Sequence, residues 1–247
     1  MNDYIEVHDN YDRGNYVRTT ADSRVSFFTG VMTRVYAWMT AALLITAGVA
    51  IYTAHSPALL NLIFGNGVSL LVLCVVELAL VIGVTWGINR LSPAMATTLF
   101  LVYSAINGLT LASIFFAYSL GTIYQAFAAS ALTFGAMSLF GYTTKRDLSG
   151  LGGILFMALI GLIIASVINI FWANSTMDAI ITYIGVFIFV GLTAYDTQKI
   201  KAMSAAAEQY GDAAAPGRVA VMGALSLYLD FINLFLYILR LFGRSRD

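Results

Sequence analysis

The feature that most constrains this chain is a run of seven apolar stretches, each about as long as a bilayer-spanning helix: residues 35–53, 69–88, 94–118, 122–142, 151–172, 177–196 and 219–242. About 20 mostly apolar residues cross the hydrocarbon core as an α-helix. The stretches are continuous rather than alternating and too long for strands, which argues against a β-barrel. Composition agrees: 60% of residues are hydrophobic and 11% charged, against about 45–50% and about 25% in an average soluble domain. The expected fold is an all-α integral membrane protein with seven transmembrane helices. Glycine and other small residues are scattered along the stretches, as where helices approach closely. Formal net charge is zero, so no basic field points to nucleic acid.

Residues 1–30 lie outside the pattern. They mix Asp3, Glu6, Asp9, Asp12 and Asp22 with Arg13, Arg18 and Arg24 and have no apolar period. They are expected to form a disordered, solvated cytoplasmic tail ahead of a membrane domain over 31–247. The first apolar stretch is of span length and no cleavable signal peptide is visible. Cys74 is the only cysteine. It excludes an internal disulfide and is expected to be a small core side chain.

Lys and Arg set the orientation. Arg13, Arg18, Arg24 and Arg34 precede the first stretch. Arg90 lies in the second connection, Lys145 and Arg146 in the fourth, and Lys199, Lys201 and Arg218 around the sixth. Connections one, three and five carry neither residue type. The N-terminus is therefore placed in the cytoplasm. Arg240, Arg244 and Arg246 then fall outside, unless the last segment is re-entrant; seven full spans is the preferred reading.

Charge at bilayer depth is expensive, so an intramembrane carboxylate is a functional-site hypothesis. Asp230 lies near the middle of the last stretch. At helical spacing it shares a face with Gly223, Ser226, Asn233 and Tyr237. Asp196 closes the sixth stretch in GLTAYDTQKIK. Two carboxyls on consecutive helices invite a shared proton, and such a pair is a candidate proton sensor. When ionised, it offers hard oxygen ligands to calcium, too few for tight binding and suited to transient coordination on a conduction path. Glu77, mid-way along the second stretch, is expected to face the bundle interior. Asn107, Asn169 and Asn233 are candidate cross-links between helices. His8 and His55 have no partner at ligand spacing, and Trp38, Trp86 and Trp172 are read as interfacial belt residues. Arg90 is a positive-inside charge or reaches a carboxylate across the cytoplasmic mouth.

At GLTAYDTQKIK and ALSLYLDFINLFLYILRLFG the sequence resembles the Bax inhibitor-1 family, whose other name is the transmembrane Bax inhibitor motif proteins. The likeness covers about residues 34–243. It is specific at Tyr195-Asp196-Thr197-Gln198 and over 226–235, and looser at 107–111 and at Lys145-Arg146-Asp147-Leu148. The resemblance implies a seven-helix fold whose last helix is central and surrounded by the other six. It implies a pH-sensitive calcium leak in which Asp196 and Asp230 form the proton-sensing pair and Glu77 belongs to the pathway. Tyr195, Ser226, Asn233 and Asn107 are the supporting polar residues. The family's second-helix latch arginine falls at Ile88 by register, and the arginine here is Arg90.

The leading expectation is thus a membrane cation leak, not an enzyme, with no cofactor and with calcium and protons as the species handled. The setting expected is a bacterial inner membrane, with the endoplasmic reticulum as the alternative. A non-conducting regulator that binds other membrane proteins is the second reading. An intramembrane aspartyl protease is the third: Tyr195-Asp196 fits a Tyr-Asp pair, but Tyr228-Leu229-Asp230 lacks the Gly-x-Gly-Asp pattern.

Overall fold

The computed structural model describes the backbone of residues 3–88, 90–210 and 215–244, and the side chains of 27–88, 90–207 and 215–243. Among them there is no strand. The helices are α1 (Asp3–Ala54), α2 (Pro57–Phe64), α3 (Gly67–Gly87), α4 (Pro93–Leu111), α5 (Ile114–Ala117), α6 (Leu120–Thr143), α7 (Ser149–Trp172), α8 (Ser175–Tyr210) and α9 (Ala215–Arg244). Seven segments are long and apolar enough to cross a membrane: Phe27–Ala54, Gly67–Gly87, Pro93–Ala117, Leu120–Thr143, Ser149–Trp172, Ser175–Ala207 and Ala215–Gly243.

Local chemistry sets the breaks between them. Ser92 accepts from the Met95 amide at 3.2 Å and is followed by Pro93 in the first turn, which starts α4. Asn66 caps α3 through the Ser69 amide at 2.9 Å, and Ser119 caps α6 through the Thr122 amide at 3.2 Å. Ala173 ends α7 in the left-handed region, with φ 47°. The short helix α2 occupies what the sequence presented as a bare connection; Ser56 followed by Pro57 is its start signal.

The backbone is helical from Asp3 and continuous with the first span; a helix already nucleated by a span extends at little further cost. Two expectations change. The sixth span does not close at Asp196 but continues as helix to Tyr210. Ile200 and Ser204 are buried and keep the helical period that the Lys residues obscure in the hydropathy. Finally, the last helix does not have six neighbours of equal standing. It packs extensively on α8, α1 and α6 and less on α4, whereas α3 packs extensively only on α4 and α2, and α7 only on α8. In its most apolar window α9 has 67% of residues buried, against 6% for α3 and for α7. The core is therefore a five-helix cluster around α9, with α3 and α7 outside it.

The re-entrant alternative for the last segment finds no break to use. A segment that dips and returns needs a turn, and Ala215–Arg244 is one helix of 30 residues, about 45 Å long at 1.5 Å per residue.

Candidate functional site

Four of the five residues expected on one face of the last helix share one space, whereas Gly223 lies against Ile200 and Val35. Ser226, Asp230, Asn233 and Tyr237 of α9 all line one cavity of about 780 Å³. α8 contributes Phe189, Tyr195, Asp196 and Lys199, α3 contributes Cys74, Glu77 and Leu78, and α4 contributes Tyr103. The fifth span closes the remaining side with Gly152, Gly153 and Phe156 of α7. Three carboxyls far apart in sequence thus face one space within the spanning bundle.

Asp230 is buried, 4% exposed, and its Oδ2 has no hydrogen-bond partner. Asp196 is half-buried and lies within electrostatic reach of Asp230. It feels the Lys199 ammonium and lies beside the Ser226 hydroxyl. That ammonium also sits 5.9 Å from the Tyr195 ring centroid. Lys201, the other lysine near Asp196 in sequence, turns away and donates to the Tyr142 carbonyl at 3.1 Å.

Glu77 is half-buried on the far wall. Thr110 Oγ1 donates to its Oε1 at 2.9 Å, and the same hydroxyl lies 2.9 Å from the Asn107 carbonyl oxygen. Asn107 in turn accepts from the Tyr228 hydroxyl at 3.2 Å, and Tyr228 shares a 2.7 Å hydrogen bond with Thr46 of α1. Tyr228 is completely buried. Through it Glu77, on a peripheral helix, is tied to the central one. Tyr228 and Thr110 are site residues that reasoning from sequence passed over. A tyrosine hydroxyl in an otherwise apolar stretch, which usually needs a partner when buried, was the available signal.

Several expected residues stand elsewhere. Arg90 is exposed in the turn after α3, with its amide on the Gly87 carbonyl at 2.8 Å, and is not among the residues around the cavity. Ile88, at the register of the family's latch arginine, is a core residue. Asn233 lines the cavity but spends its amide on the Leu229 carbonyl of its own helix at 2.8 Å, so it is no cross-link there. Asn169 caps the end of α7, accepting from the Asn174 amide. His55 bonds the Ile51 carbonyl at the end of α1; the side chain of His8 lies outside the described residues. Cys74 is not a core side chain but an exposed one beside the cavity. Among the described residues no three His, Cys, Asp or Glu side chains gather as a metal cage.

The two sequence motifs meet. Thr197 shares a 3.0 Å hydrogen bond with Ser138, which is also bonded to Tyr36. Gln198 clamps the turn between α6 and α7, accepting from the Leu148 amide and donating to the Arg146 carbonyl, both at 2.8 Å. Tyr195 fills the space over Gly152, where a Cβ would lie 2.3 Å from its ring. The Tyr195-Asp196-Thr197-Gln198 run therefore fixes α8 against α6 and α7 while presenting Asp196 to the cavity. In the same turn, outside the spans, the Asp147 carboxyl is held below its usual pKa by hydrogen bonds from Ser149.

Comparison with known proteins matches this pattern to a family. The sequence profile described as "Inhibitor of apoptosis-promoting Bax1" matches residues 29–247. The inner membrane protein YbhL of Escherichia coli K12 is 52% identical over 215 residues, which is 87% of this chain and 92% of that protein. An uncharacterized protein of Deinococcus radiodurans is 44% identical over 218 residues, 87% of this chain and 90% of its own length. An uncharacterized protein of Borreliella burgdorferi is 42% identical over 216 residues, with 87% and 92% covered. The chain is a multi-pass membrane protein and belongs to the Bax inhibitor-1 family.

Proposed function

We propose that this protein is a pH-sensitive calcium leak, gated by protonation of the Asp196–Asp230 pair and with Glu77 on the ion path. The observation that carries the reading is Asp230 itself. It is a buried carboxyl at the middle of the central helix, with one oxygen unpartnered, facing a cavity that also receives Asp196 and Glu77. Such a group is costly to keep in a bilayer-spanning bundle and is kept where it serves a path. Like charges at close quarters share a proton, so the charge in the cavity follows pH. Because α8 and α9 share the most extensive seam of the fold, a change in that charge acts on the packing of the central helix. The lack of a three-ligand cage among the described residues agrees with brief coordination rather than storage.

The proposed setting is a bacterial inner membrane with the N-terminus in the cytoplasm. The identity to an inner membrane protein of Escherichia coli supports the first, and the Lys and Arg asymmetry of the connections supports the second.

The test is calcium release from loaded proteoliposomes. Wild type releases calcium faster than protein-free vesicles, with a rate that depends on pH, and Asp230→Asn loses both the release and its pH dependence. If Asp230→Asn releases calcium with an unchanged pH profile, the mechanism is wrong. Absence of flux from well-folded wild type, together with a co-purifying membrane protein, would favour the non-conducting regulator instead.

A further inference from the structure

The cavity opens between two outer helices. Its two outer walls are α3 and α7, which do not pack extensively on each other. The residues on its rim are apolar and point outward: Leu78 is 63% exposed, Phe156 60% and Ile163 55%, with Cys74 exposed beside them. Leu78 and Ile163 lie near the middle of their spans, so the rim faces acyl chains and not water. A molecule arriving by this route must be soluble in lipid.

Inside the rim the chemistry reverses. Glu77, Asp196 and Asp230 face the cavity against one cation, Lys199, at its edge. Asp230 adds an oxygen with no partner, on a side chain only 4% exposed. Aromatic rings of Tyr103, Phe156, Phe189 and Tyr237 complete the walls, and aromatic faces attract cations. The volume of about 780 Å³ is in the range of small-molecule sites. We infer that this cavity binds lipophilic organic cations, entering from the bilayer between α3 and α7 and seated against Asp230. An inorganic ion has no use for an apolar side entrance, and a neutral lipid has no use for three carboxyls. The inference concerns the same cavity as the leak but needs no ion flux.

The probe is tetraphenylphosphonium, measured by equilibrium binding to the full chain in phosphatidylcholine nanodiscs. Tetraphenylborate, of nearly the same shape and opposite charge, is the control. Saturable binding of the cation is expected over empty discs, with none for the anion. Asp230→Asn weakens it about tenfold, since the cation loses the carboxyl oxygen it is seated against. Because that variant touches the core, Leu78→Trp gives an independent arm. It sits at a lipid-facing position, leaves the carboxyls intact, narrows the entrance and slows association several-fold. The inference is overturned by any one of three results: no saturable binding to wild type, equal binding of the anion, or wild-type binding and association in both variants. Calcium release is assayed separately, so loss of the leak reading with cation binding intact leaves this inference standing, and the reverse holds too.

Discussion

At the scale of single residues, Tyr228 carries more of the site than its place in an apolar stretch implies. Its hydroxyl joins α1 through Thr46 and α4 through Asn107, three residues before the Thr110 that holds Glu77. Removing only that oxygen leaves buried polar groups short of a partner, which costs about 1–3 kcal/mol. Tyr228→Phe is therefore expected to lower thermal stability by that amount in detergent, while keeping the ring contacts with Phe100 and Tyr103. If its unfolding matches wild type, the network is not a support of the fold. Glycine gives a second comparison at this scale. A Cβ on Gly141 would meet the Ala194 carbonyl oxygen at 2.2 Å, whereas one on Gly135 of the same helix meets nothing within 4 Å. Gly141→Ala should cost about 1–3 kcal/mol through forced separation of α6 and α8. Gly135→Ala should be neutral or slightly stabilising by helix propensity, and equal unfolding midpoints for the two would contradict the close crossing.

At the scale of elements, the turn between α6 and α7 shows how two pieces of chain are held in register by one side chain of a third. Gln198 bonds both sides of the turn, and Asp147 accepts from the Ser149 amide at 2.9 Å at the start of α7. The Asp147 pKa is lowered by its hydrogen bonds from Ser149. Its contribution to the α7 start is thus present above the unfolded carboxylate pKa and is lost as pH falls through the lower folded value. Amide exchange should show this: protection at Ser149 and Gly150 holds at neutral pH, drops in acid, and is absent at all pH values in Asp147→Ala. Unchanged protection in that variant would remove the carboxylate from the account. The seven spans and the polar face of α9 were legible in the chain because period and hydropathy speak directly of a helix and its one wet side. The rank of the helices was not. α3 and α7 are the most apolar spans, with mean hydropathy 2.7 against 1.9 or less for the others, but apolarity inside a membrane does not by itself tell a core face from a lipid face. Cys74 was misplaced for that reason, and the run past Asp196 was cut short because Lys199 and Lys201 lower the hydropathy while Ile200 and Ser204 keep the buried stripe.

At the scale of the whole molecule, a central helix gathers carboxyls from three spans around one cavity, and two outer helices leave that cavity open to lipid. That Asp196 and Asp230 line one cavity was foreseeable from polar faces on consecutive helices, with Ser226 one turn before Asp230. The network beside Glu77 that joins α4, α9 and α1 through Asn107, Tyr228 and Thr46 was not, because hydrogen bonds across three helices leave no periodic trace. What the account rests on is that Asp196 and Asp230 titrate as a pair. Infrared difference spectroscopy of protein in lipid, in a Glu77→Gln background, follows each aspartate as pH is raised with the other present or replaced by asparagine. The account predicts that neutralising either one moves the pH at which the other loses its proton. If each aspartate titrates at the same pH whether or not its neighbour carries a charge, the pair is not a pair and the gate described for this protein does not exist.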